Sequence, residues 1–166
     1  EGRKWMFANY KGYEFKGESE LRNNCEMYIN GNKTEFQKQF TKEGHYDVKI
    51  IIKDPTLFKS AENMFYCCSS LVKASFNNFS KPFLTSINAM FYGCSKLESL
   101  DLQSFNTAKI TDMSWMFCYC NKLQEIKGIS QFNTKKVKDM RYLFCLCKNL
   151  EKVNLNFFIS GLSFLS

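Results

Sequence analysis

One phrase recurs four times and constrains this chain more than any other feature. It runs Asn63-Met64-Phe65 to Cys68 and Leu71, then Ala89-Met90-Phe91 to Cys94 and Leu97. It returns as Trp115-Met116-Phe117 to Cys120 and Leu123, and as Tyr142-Leu143-Phe144 to Cys147 and Leu150. The phenylalanines at 65, 91, 117 and 144 are 26, 26 and 27 residues apart. A fixed period of this size specifies a stack of repeated units, none of which buries its apolar side alone.

Each unit has two halves. In the first, apolar residues fall at i, i+3, i+4 and i+7: Ala61, Met64, Phe65 and Cys68; Ile87, Met90, Phe91 and Cys94; Met113, Met116, Phe117 and Cys120; Met140, Leu143, Phe144 and Cys147. That template predicts one or two turns of amphipathic helix with the stripe buried. Such a segment is too short to be stable in isolation, so stacking must hold it. The second half reads as a strand. Leu97-Glu98-Ser99-Leu100-Asp101-Leu102 is L-x-x-L-x-L, and Leu150 to Leu155 repeats it. Leu123 to Ile129 matches with one extra residue, which accounts for the step of 27, and Leu71 to Phe76 is a looser copy. A phenylalanine follows each strand, at 79, 105, 132 and 158. After two of them Asn106 and Asn133 are placed to bond turn backbone. One coil is therefore strand, Phe turn, ascending loop and short helix, and stacked coils make a parallel sheet. Its outer face is expected to carry the rows Lys73, Ser99, Glu125, Lys152 and Ser75, Asp101, Lys127, Asn154, with Asp101 placed to pair with Lys127.

Residues 1–55 lack the repeat and read as an N-terminal β-hairpin cap, with residues 56–166 forming about four coils. Residues 10–15 suggest a short strand. Asn30-Gly31 between Cys25–Ile29 and Thr34–Phe40 is a strong hairpin signal. Tyr46 to Ile52 reads as a strand in phase with Ala74 and Leu100, and so as a coil zero joining cap to array.

The stretch from Ile87 to Phe117, INAMFYGCSKLESLDLQSFNTAKITDMSWMF, resembles the BspA-like leucine-rich repeats, whose units read M-x-x-M-F-x-x-C-x-x-L-x-x-L-D-L-S-x-F-x-T. The resemblance spans roughly residues 56–160. It departs at Ala74 and Phe76 in the first unit and after the Phe of the fourth. It implies a right-handed leucine-rich solenoid without catalysis, an α/β solenoid of strand–loop–short-helix coils. It also implies a surface or secreted adhesion and recognition role, and hence an extracellular or cell-surface location.

The rest of the chain bounds the chemistry. The net charge is +7, which admits an acidic partner. Arginine, the usual reader of phosphates and base edges, is outnumbered by lysine 20 to 3, which argues against nucleic acid. The excess of Lys, Asn, Ile, Phe and Tyr suits AT-rich coding, as in many microbial eukaryotes. No run reaches the ~18 apolar residues of a membrane span. Four of the eight cysteines, 68, 94, 120 and 147, sit at one repeat position inside the buried stripe and act as small apolar residues. Cys118 and Cys145 occupy equivalent positions on adjacent coils and are a candidate disulfide; a zinc site lacks nearby histidine. The single histidine, His45, aligns with strand-initiating leucines and reads as structural. No catalytic constellation, metal site or cofactor motif stands out, so the expected function is non-catalytic.

Two surfaces invite a partner. The outer side of the helical halves carries Tyr66, Tyr92, Trp115, Tyr119, Tyr142 and Leu146, an apolar band of the kind that anchors protein contacts. The ascending loops carry Lys81, Lys109, Lys135, Lys136 and Lys138. Asn32 and Asn78 lie in glycosylation sequons. No polar C-terminal cap is visible, so the last coil is expected to be covered by further chain or by self-association. A protein partner is thus expected, either a surface receptor or another subunit of an assembly.

Overall fold

The computed structural model of the chain describes residues 4–5, 13–36, 39–40, 46–76, 79 and 83–150. The repeat builds a stack. Strands β6 (Lys73–Ser75), β7 (Ser99–Asp101) and β8 (Glu125–Lys127) form a parallel sheet in that order. Their register aligns Ala74 with Leu100 and Leu100 with Ile126. Leu100 and Ile126 are buried while their neighbours point out, the period-two signature of a sheet with one wet face. The outer rows Lys73–Ser99–Glu125 and Ser75–Asp101–Lys127 form as expected. Asp101 lies opposite Lys127, but the two form no ion pair; its carboxylate instead accepts from the Gln103 N–H at 3.0 Å. The strand expected over 150–155, with Lys152 and Asn154, lies outside the described residues beyond Leu150.

The other half of each coil is not a helix. Its apolar stripe is buried as the spacing requires: Ala61, Ile87, Met90, Phe91, Met113, Met116 and Phe117 have at most traces of exposed surface. The backbone, however, is a ribbon of successive turns with left-handed residues four apart. These are Asn63 and Cys67, Ala89 and Gly93, Trp115 and Tyr119, and Tyr142 and Leu146, with φ between 49° and 68°. Amides alternate in direction. Those of Met64, Tyr66 and Cys68 donate within the coil to the carbonyl three residues back. Those of Ala61, Asn63, Phe65 and Cys67 donate to Ser86, Asn88, Met90 and Tyr92 of the next coil at 2.6–3.1 Å. The same ladder repeats from Ile87–Gly93 to residues 112–118 and from Met113–Tyr119 to residues 139–145. A helix would keep every amide bond inside a segment too short to sustain it. The ribbon gives half of them to the neighbouring coil, so stacking supplies backbone bonds as well as burial. It still presents i, i+3, i+4 and i+7 on one side, which is why the helical template fits a segment that is not helical.

Inside the stack, like residues lie on like. Phe65, Phe91, Phe117 and Phe144 form a column of near-parallel rings with centroids 5.3, 5.9 and 5.4 Å apart. Phe79, Phe105 and Phe132 form a second, at 5.3 and 6.4 Å. The repeated cysteines have a specific task beside them. The Cys94, Cys120 and Cys147 thiols approach the carbonyls of Phe65, Phe91 and Phe117 at 3.1, 3.1 and 2.9 Å. The Phe65 carbonyl already accepts the Cys68 N–H. Cysteine here is small, apolar and able to donate weakly to a second lone pair. The asparagines after the Phe turns do bond backbone: Asn106 and Asn133 Oδ1 accept from Ala108 and Lys135 N–H at 3.0 and 3.1 Å.

The extra residue of the third coil is Gly128. It takes φ 82° directly after β8 and starts a short 3-10 turn over Ile129–Gln131. A side chain there would lie 2.6 Å from the Gln103 backbone.

The N-terminal region is β-rich, as read. β1 (Lys4–Trp5) pairs with β4 (Gln39–Phe40). β2 (Cys25–Ile29) and β3 (Asn32–Thr34) form a hairpin at the expected turn, with Asn30 and Gly31 both at positive φ, the requirement of a tight hairpin turn. The return strand is Asn32–Thr34 and not the expected Thr34–Phe40, because a two-residue turn starts the pairing at once and Gln39–Phe40 pairs with β1. β5 (Val48–Ile52) pairs antiparallel with β2 and belongs to that sheet; it does not join β6. It is therefore not the coil zero that its phase suggested. That place is taken by residues 13–17. The Lys16 N–H donates to Glu62, Tyr13 stacks on Tyr66 at 4.6 Å, and Phe15 packs edge-on to Phe58 at 6.0 Å. A short helix, α1 (Glu18–Asn23), follows, and its Leu21 is fully buried. The sequence showed no sign of it, because six residues are too few for periodicity to register. Asn24 fixes the end of α1 to the segment that leads into the array: its Oδ1 accepts from the Asp54 N–H at 3.0 Å and its Nδ2 donates to the Asp54 carbonyl. Residues 10–12, and His45, lie outside the described residues.

Candidate interaction surface

The turn ribbon places the six predicted residues on one strip. Successive coils put Tyr66, Tyr92, Cys118 and Cys145 at one position. The left-handed positions flanking it hold Asn63, Ala89, Trp115 and Tyr142 on one side, and Cys67, Gly93, Tyr119 and Leu146 on the other. In the first two coils the central position carries the ring. In the last two it shrinks to cysteine, and the flanking positions carry the bulk. Tyr92 is the crossover: it meets Trp115 at 6.1 Å and Tyr119 edge-on at 5.5 Å. The full run is Tyr13 on Tyr66 (4.6 Å), Tyr66 on Tyr92 (4.7 Å), Tyr92 on Trp115, and Trp115 on Tyr142 (4.1 Å).

The rings cover one another only in part. Tyr66, Tyr92 and Trp115 are half-buried. Tyr119, Tyr142 and Leu146 remain 42, 48 and 44% exposed, and Tyr13 is 50% exposed. In these same coils Phe117 has no exposed surface. Tyr13 was missed in the sequence because it stands outside the repeat; only its stacking on Tyr66 reveals it. Lys96, Lys122 and Lys148, all exposed, lie in the turns that end the ribbons and flank the strip.

Electrostatically the strip is neutral. Burial pushes the Tyr66 phenol up to about 12, with Cys67 adding to the effect, and raises Tyr92 as well. Burial also pushes the Cys118 thiol up to about 12 and raises Cys67. All eight cysteines are free thiols. Cys118 is buried, Cys145 is half-buried, and the two occupy equivalent positions on adjacent coils. Asn32 is exposed at the start of β3, its Nδ2 donating to the Asn30 carbonyl at 3.4 Å; Asn78 lies outside the described residues. The exposed lysines 109, 135, 136 and 138 sit on the ascending loops, while Lys81 lies outside the described residues. The C-terminal segment expected to self-associate, 151–166, also lies outside them. Among the described residues no helix is long and apolar enough to cross a membrane. No cluster of three or more His, Cys, Asp or Glu there is arranged to hold a metal.

Fold and surface together define a stacked-repeat protein with an aromatic flank. More narrowly, the chain belongs to the DUF285 family, described as a Mycoplasma protein of unknown function, whose pattern matches residues 11–98 and again 59–161. The second match coincides with the stack, and the first reaches from the cap segment at Tyr13 into the second coil. No curated protein and no solved structure matches the chain.

Proposed function

We propose that this chain is a non-catalytic protein-interaction module of the BspA-like surface-recognition type, a right-handed leucine-rich stack that meets a protein partner through its aromatic strip. One observation carries the reading. Tyr119, Tyr142 and Leu146 are held at left-handed backbone positions with about half their surface in water. Left-handed residues other than glycine cost about 1–2 kcal/mol each. Folding stability alone gains little from large apolar groups placed so, whereas Tyr and Trp anchors are what an interface uses. Two neighbours are distinguishable: a recognition ligand bound reversibly, or a permanent subunit of a larger assembly.

Lysine cross-linking with mass spectrometry on material from the native source tests this. Links from Lys96, Lys122 or Lys148 to another protein support a partner on this strip. Links that survive gel filtration as a fixed complex identify a permanent subunit. A monomer with intrachain links only, whose Tyr142→Ala and Trp115→Ala forms behave as wild type in pull-downs from that source, refutes the strip as an interface.

A further inference from the structure

The ladder that forms the strip also sets two thiols opposite each other on the outer side of adjacent coils. The Phe117 N–H donates to Leu143 at 3.0 Å and the Tyr119 N–H to Cys145 at 2.8 Å. These two bonds bracket Cys118 and set it directly opposite Cys145 on the next coil. The Phe117 and Phe144 rings of these two coils stack 5.4 Å apart, so the coils repeat at about that spacing. That spacing falls within the ~4.4–6.8 Å between Cα atoms that a disulfide accepts. Both side chains stand on the outer side of the ribbon, where the first two coils carry Tyr66 and Tyr92. The stripe cysteines are different: Cys94, Cys120 and Cys147 face the core with their thiols directed at phenylalanine carbonyls. Cys145 keeps part of its surface in water, so a small molecule reaches it from solvent, whereas Cys118 has no exposed surface.

We infer that Cys118 and Cys145 are an oxidation site, a dithiol that reacts with a small-molecule disulfide and closes a cross-link between the third and fourth coils. The steps balance. The Cys145 thiolate attacks one sulfur of the reagent disulfide, breaking its S–S bond and releasing one small thiolate. Cys118 then gives up its proton to solvent and attacks the Cys145 sulfur, expelling the second small thiolate. Two protein thiols are oxidised and one reagent disulfide is reduced to two thiols. Because Cys145 has surface in water and Cys118 has none, the first attack belongs to Cys145; burial holds Cys118 protonated, so the second step sets the rate. The cross-link ties the fourth coil to the third beside Trp115 and Tyr142 without disturbing the core column of phenylalanines.

The test uses the full chain in a buffer of reduced and oxidised glutathione as oxidising as the secretory pathway, with acid quench, alkylation and fragment mass spectrometry. The expected product is a single 118–145 link, formed slowly. It should raise Tm by about 10 °C, a shift reversed by dithiothreitol. Cys145→Ser and Cys118→Ser lose both link and shift, while Cys147→Ser keeps them. Should Cys118→Ser fail to fold, Cys145→Ser alone decides. No link under this buffer, a link through Cys120 or Cys147 instead, or a persistent shift in Cys145→Ser overturns the inference.

Discussion

Replacing Gly128 by alanine tests whether the third coil is held by its one extra residue. Two effects combine at this position. At φ 82° any Cβ pays left-handed strain of about 1–2 kcal/mol. The added methyl would also sit 2.6 Å from Gln103 Cα and N and 2.7 Å from the Leu102 carbonyl carbon, all backbone, which cannot swing aside. Overpacking of this kind costs about 1–3 kcal/mol more. Gly31 is an internal control: its φ is 81°, but nothing lies within 4 Å of its would-be Cβ. Gly31→Ala therefore isolates the strain, and the difference between the two variants isolates the clash. A difference of about 2 kcal/mol is expected, roughly 30-fold in the folding equilibrium. In urea melts that corresponds to midpoints about 1 M apart, with unchanged slopes. Deleting Gly128 should be milder than Gly128→Ala, since it restores the 26-residue step and brings Ile129 into register with Leu102. Equal midpoints for Gly128→Ala and Gly31→Ala, or a deletion worse than the alanine, would refute the account of this coil.

Three other outcomes follow from the packing. Cys94→Ala, which removes the buried thiol that donates to Phe65, should destabilise by about 1–2 kcal/mol, read by the same melts; no loss would mean the ladder is incidental. Phe117→Ala, in the middle of the ring column, should cost about 3–5 kcal/mol and loosen the fourth coil in hydrogen exchange more than the cap. The reduced protein should also weaken in alkali. Burial raises the Cys68 thiol from 9.0 to about 12 and Cys147 to about 11. Unfolded thiols ionise near 9 and folded ones do not, so their contribution is complete below about pH 9 and is lost as pH rises toward 11–12. Each such thiol contributes up to about 1.4 kcal/mol per pH unit in that window, and a flat stability profile from pH 8 to 10.5 would contradict it.

The period, the burial stripe, the L-x-x-L-x-L strands, the Asn30-Gly31 hairpin and the site of the insertion were all readable from residue order. Each depends on local spacing that only one packing satisfies. Leucines at alternate positions can bury only one sheet face, and a phrase repeated every 26 residues can bury itself only against its copies. The six residues of the aromatic strip were readable for the same reason, as bulk left over once the stripe was assigned inward. Three matters were decided by tertiary structure. Apolar residues at i, i+3, i+4 and i+7 fit a helix and a turn ribbon equally, and the choice fell to amides that find better partners on the next coil than within their own. Nothing local marks Trp115, Tyr119, Tyr142 or Leu146 as left-handed, since only Asn63 and Gly93 in that series are residues that favour it. The coil that precedes the array was likewise hidden. β5 carries the right phase but is claimed by β2, while Tyr13, Phe15 and Gly17 hold the place instead, with Gly17 so close to the Ser60 carbonyl and the Phe58 ring that no side chain fits. Sequence determined what must be buried and how often. Which backbone carries it, and which segment closes the end of the stack, depended on hydrogen-bond partners supplied from outside each segment.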